Sequence, residues 1–137
     1  MKLFQYKKYL WLLILLPLLT VSCKKRKEQL IIGKWKLETY TLVKPEIPTQ
    51  WIFDGDGVLT VMNERSGTDE DTIQGEYKVV MKSLVLTHLE INNPHALRGL
   101  WRVEKLNKKI LVLSRVGWLD KNDKTNSYLR REFLNVN

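Results

Sequence analysis

From residue 29 onward the hydrophobic and polar positions alternate with a period of two, the signature of half-buried strands rather than helices. Trp35, Leu37, Thr39 and Thr41 alternate with Lys36, Glu38, Tyr40 and Leu42. Gln50 to Phe53 reads as a short aromatic strand. Asp54-Gly55-Asp56-Gly57 follows it, and Asp and Gly tolerate the backbone conformations that tight hairpins demand. Val58 to Met62 is the returning strand, and Asn63 to Asp71 is a polar loop. Thr72 to Val80 and Ser83 to Leu89 are expected to pair across Met81-Lys82. Asn92-Asn93-Pro94 breaks the chain before Leu97 to Leu106 and Ile110 to Val116, a hairpin across Asn107-Lys108-Lys109. Asp120 to Asn126 is a second polar loop, and Ser127 to Val136 the last strand. About eight short antiparallel strands at such spacing predict an all-β meander, a sandwich or a small up-and-down β-barrel. Closure into a barrel would also hide the edges on which open sheets aggregate. Before the strands, the only helical signal is a short turn around Lys27 to Ile31.

The first 23 residues follow a different logic. Lys2, Lys7 and Lys8 precede an apolar run from Leu10 to Val21. That run has the length of a secretory h-region and is short for a membrane-spanning helix, and Pro17 interrupts it further. Thr20-Val21-Ser22 then leads into Cys23, the only cysteine of the chain. This arrangement resembles a lipobox, the site at which bacteria cleave a signal peptide before a cysteine and attach diacylglycerol to it. Ser22 and Val21 fit the small positions, while Thr20 stands where leucine is usual. The resemblance implies a signal peptide over residues 1–22, a lipidated Cys23 with a basic tether over residues 23–29, and one domain over residues 30–137. A sole cysteine cannot build a disulfide scaffold, whereas lipid attachment gives it a use.

The net charge of +8 changes little once it is divided. The leader carries +3, the stretch Lys24 to Glu28 another +3, and residues 29–137 only +2. A nucleic-acid-binding domain concentrates Lys and Arg on one face, so no nucleic-acid partner is expected here. The Lys24 to Lys27 run is read as a solvated linker or a tether beside anionic headgroups.

Ile31-Ile32-Gly33-Lys34-Trp35 resembles the Gly-x-Trp opening of lipocalins. Taken in order with Trp51-x-Phe53, Asp54 to Leu59, Gly75-Glu76-Tyr77, Leu100 to Val103 and the closing Tyr128 to Phe133, it is similar to the lipocalin-like lipoproteins of Bacteroidota. The resemblance spans roughly residues 29 to 137 and implies a small lipocalin-like β-barrel. It further implies that Trp35 plugs the closed end, that Gly33 lets the chain bend there, and that an arginine of the last strand lies across the tryptophan. Strand parity favours Arg131 over Arg130, because Arg131 falls in phase with Leu129 and Phe133. The stretch after Cys23 lacks the acidic residues that resemble surface-export signals in that group. The implied address is the cell envelope, lipid-anchored, in the outer membrane facing the periplasm.

Catalytic or metal chemistry finds little support. His88 and His95 do not converge with other ligands at metal-site spacing, and no cofactor is expected. Asp54 to Gly57 departs from a calcium loop, with Val58 and Arg65 at ligand positions. Asp69, Glu70 and Asp71 are consecutive in a polar loop, with no apolar pocket to separate their acidities. No nucleophile elbow is present, so an enzyme is not expected. Trp51, Phe53, Trp101 and Trp118 are the candidate lining of an apolar cavity, or simply core filling. Two readings follow. In the first, the membrane-anchored barrel binds a small apolar or amphipathic ligand in its mouth. In the second, it is a solid-core accessory lipoprotein whose loops meet an envelope protein. Cavity volume separates them.

Overall fold

A computed structural model describes residues 23–40, 48–63, 72–83, 86–93, 95–117 and 129–136. Eight antiparallel strands close into an up-and-down β-barrel in simple sequence order. They are β1 (Gly33–Tyr40), β2 (Thr49–Phe53), β3 (Val58–Asn63), β4 (Thr72–Met81), β5 (Thr87–Ile91), β6 (Gly99–Leu106), β7 (Ile110–Gly117) and β8 (Arg130–Asn135). The barrel closes where β1 pairs with β8, Trp35 facing Asn135 and Tyr40 facing Arg131. Irregular register in β1, between Leu37 and Thr39, and twice in β6 marks bulges. Bulges bend and twist strands, which a closed eight-stranded sheet requires.

Alternation decides what the barrel buries. Trp35, Trp51, Leu59, Leu89, Ile91, Trp101, Leu111 and Leu113 are all fully buried, with Phe53 and Phe133 at 1% exposure. Each lies in phase with the inward residues of its own strand, so the period-two pattern maps onto the barrel interior.

Three elements depart from the sequence reading. The basic tether lies within a helix, α1, described over residues 23–31. Its Lys, Arg, Glu, Gln and Leu residues are good helix formers, and Lys24 pairs with Glu28 one turn on at 3.6 Å. The β4–β5 turn lies over residues 82–86 rather than Met81-Lys82, with Lys82 N–H donating to Leu86 O and Leu86 N–H to Ser83 Oγ. Leu97 ends a 3-10 turn, His95–Leu97, and β6 starts two residues later. The leader, the loops over residues 64–71 and 120–126, and Trp118 lie outside the described residues.

The connections sort onto two ends. α1 and the β2–β3, β4–β5 and β6–β7 turns lie at one end, with the end of β8. The 3-10 turn and the remaining connections join strands at the other.

Candidate functional site

Both ends are stoppered by the same local device. At the α1 end, the Trp35 indole N–H donates to Ile31 O at 2.7 Å. At the other end, the Trp101 indole N–H donates to Leu97 O at 2.8 Å. In each case a helical turn ends at a buried aliphatic residue, a glycine follows two residues on, and a buried tryptophan two residues after that. Gly33 and Gly99 have φ of 145° and 146°, a region that side chains disfavour. At Gly99 a Cβ would also stand 2.7 Å from Gly117 O. The chain reverses sharply at the glycine, and the indole reaches back to a helix-end carbonyl that would otherwise lack a partner. The pattern aliphatic-x-Gly-x-Trp is legible twice in the sequence, at 31–35 and 97–101. Only its first occurrence stands out without the structure.

Between the two stoppers the interior is aromatic. Trp51 is the hub, with ring centroids 5.0 Å from Phe133, 5.9 Å from Trp101 and 6.0 Å from Phe53. Phe53 in turn meets Tyr77 edge-on at 4.9 Å. Such tilted and T-shaped contacts suit the quadrupoles of the rings.

Two guanidinium groups enter from the 3-10 end. Arg131 Cζ lies 5.0 Å from the Trp51 centroid and 5.5 Å from that of Trp101. Arg115 Cζ lies 5.6 Å from the Trp101 centroid, and its Nη1 donates to Ala96 O at 3.3 Å. Arg131 does point inward, as its parity implies, but its rings are Trp51 and Trp101 rather than Trp35. The register explains this correction. Arg131 stands opposite Tyr40 on β1, five residues beyond Trp35, which is roughly 16 Å of strand. Arg115, in phase with Leu111 and Leu113, was signalled by that same alternation and is a further member of the cluster.

The candidate ligand-lining residues Trp51, Phe53 and Trp101 are thus brought together, but against one another. At 0–1% exposure all three are buried. Among the described residues one hollow lies outside the barrel wall. It is a cavity of about 370 Å³ between α1, the β2–β3 turn and β4, lined by Lys25, Glu28, Ile32, Asp56, Tyr77 and Lys78 among others. Tyr77 braces it, its hydroxyl donating to Asp54 O at 2.5 Å. Burial, with the negative charges of Asp54 and Glu28, pushes the Tyr77 phenol up to about 12. Asp54 organises the turn, its Oδ1 accepting from the N–H groups of Asp56 and Val58. That is a hairpin turn.

No family model matches the chain, and no curated protein matches it in sequence.

On the outer wall, Glu104 accepts from Ser114 Oγ at 2.6 Å and from Arg130 Nε at 3.0 Å, and Arg130 also bonds Glu132. The Ser114 and Arg130 hydrogen bonds hold the Glu104 carboxyl below its ordinary range. His88 lies buried beside Arg102 on the same wall, and burial with the charges of Arg102 and Lys82 lowers its pKa from the ordinary histidine value. Among the described residues no three His, Cys, Asp or Glu side chains converge as a metal site. Cys23 is exposed on α1. No described helix is long and apolar enough to cross a membrane.

Proposed function

We propose that this chain is a lipid-anchored, lipocalin-like lipoprotein of the cell envelope whose barrel is a solid module acting through its outer surface. The observation that carries the reading is the interior itself. Trp51, Phe53 and Trp101, the side chains that would line a lumenal ligand, are buried against one another and under Arg131. An eight-stranded barrel is narrow enough for its own side chains to fill it. The anchor part of the reading rests on the sequence before Cys23 and on the exposure of that residue on α1.

The test combines two measurements on the protein purified from its membrane. The N-terminal peptide is expected to begin at Cys23 and to carry a diacylglyceryl mass, and Cys23→Ser is expected to release the chain from the membrane fraction. A fatty acid, a lysophospholipid and a retinoid are each expected to leave tryptophan emission unchanged. A saturable emission change, abolished by Trp101→Phe in a folded variant, would return the ligand to the barrel and sink the solid-module reading.

The cavity beside α1 supports a second reading, in which a small amphipathic ligand binds outside the barrel. Its volume falls within the range of small-molecule sites. Its lining combines Ile32 and Val79 with charges of both signs. In this reading Ile32→Trp fills the cavity and removes binding while leaving the fold intact.

A further inference from the structure

We propose that the α1 end of the barrel is a docking face for an anionic phospholipid surface. The proposal deepens the anchored reading, because Cys23 lies on α1 at this same end. In sequence the basic residues concerned are scattered over 86 positions, from Lys24 to Lys109. The fold gathers them. Lys24 to Lys27 lie on α1, Lys34 opens β1, Lys82 sits in the β4–β5 turn, and Lys108 and Lys109 form the β6–β7 turn. Backbone hydrogen bonds stitch these pieces together. Asn135 N–H donates to Lys109 O at 2.9 Å, and Val136 N–H donates to Lys34 O at 3.0 Å.

Lys34, Lys82, Lys108 and Lys109 are all exposed. The described carboxylates on α1 and its neighbouring turn are Glu28, Asp54 and Asp56. Two of them are engaged locally, Glu28 with Lys24 and Asp54 with the turn amides. The basic residues at this end, Lys24 to Lys27, Lys34, Lys82, Lys108 and Lys109, outnumber those carboxylates, although residues 29–137 sum to only +2. A cationic face next to a lipid anchor adds an electrostatic attraction to the acyl one, and stable membrane association commonly needs two such signals. It also orients the barrel end-on, with the 3-10 end turned away from the bilayer.

The experiment reconstitutes the full processed protein into vesicles of phosphatidylcholine, with or without phosphatidylglycerol, and follows the rate of amine labelling at each lysine by peptide mass spectrometry. Lys82, Lys108 and Lys109 are expected to label several-fold more slowly on the anionic vesicles, and high salt is expected to restore the rate. Lys121 and Lys124, between β7 and β8 in the sequence, are expected to label equally on both. Lys108→Gln with Lys109→Gln is expected to weaken the docked state by roughly tenfold or more, read as lost protection at Lys82. Flotation with both vesicle types but equal labelling on them overturns the docking face while leaving the anchor in place. Flotation with anionic vesicles alone, with protection, overturns the lipid anchor and supports the face.

Discussion

Arg131 stacks its guanidinium on Trp51, 5.0 Å from the ring centroid, although the two residues lie on strands that do not pair with each other. The contact crosses the lumen and, through Trp101, ties β8 to β2 and β6. A cation over an indole contributes about 0.5–2 kcal/mol, more when it is desolvated. Arg131→Met keeps much of the aliphatic stem and removes the charge. It is expected to lower the urea unfolding midpoint by the equivalent of about 1 kcal/mol and to shift tryptophan emission. An unchanged midpoint would mean that the stem alone holds the rings.

The two stoppers are expected to behave alike. Trp35→Phe and Trp101→Phe each retain a ring but leave Ile31 O or Leu97 O without its indole donor. An unsatisfied buried carbonyl costs about 1–3 kcal/mol. Gly99→Ala adds backbone strain of about 1–3 kcal/mol and a clash with Gly117 O, so it is expected to be the most damaging of the three. Denaturant titrations of the three variants test that order.

Tyr77 makes the α1 end sensitive to alkali. Its folded-state value, raised from 10.0 to about 12, lies above the unfolded one. Its contribution is therefore complete below pH 10 and is lost as pH rises toward 12. Ultraviolet titration is expected to show one tyrosine ionising late, and Tyr77→Phe to remove that late step and to cost about 1 kcal/mol by loss of the Asp54 bond.

His88 acts at the acid side. Burial, Arg102 and Lys82 lower its value below 6.5, so the unfolded chain takes up the proton first. Stability is full above pH 6.5 and falls as pH drops through the folded-state value. Thermal melts between neutral and mildly acidic pH are expected to show this decline, and His88→Gln to flatten it. A decline of the same size in the variant would assign it to another group.

Glu104 adds a second acid-side dependence at lower pH. Its folded-state value is lowered from 4.5 mainly by the Ser114 hydrogen bond, so its contribution holds above pH 4.5 and disappears as pH falls through the lowered value. Ser114→Ala is expected to raise the carboxyl back toward its ordinary range, readable by carbon NMR titration, and to weaken the link between β6, β7 and β8.

Sequence alone determined the strands, because a strand with one face buried must alternate, and Trp35, Leu37, Trp51, Phe53, Leu111, Leu113 and Phe133 do. It also placed the β2–β3 turn at Asp54 to Gly57 and the inward parity of Arg131, since both follow from local chemistry and a period of two. The tertiary structure decided everything that depends on which strands meet across the lumen. Closure of β1 on β8 set a register that carries Arg131 past Trp35 to Trp51 and Trp101. Packing pressed Trp51, Phe53 and Trp101 onto one another and set Trp35 and Trp101 against helix-end carbonyls. Folding brought lysines distant in sequence to one end, a clustering that a sum of charges along the chain cannot express, because net charge has no location until the chain has a shape.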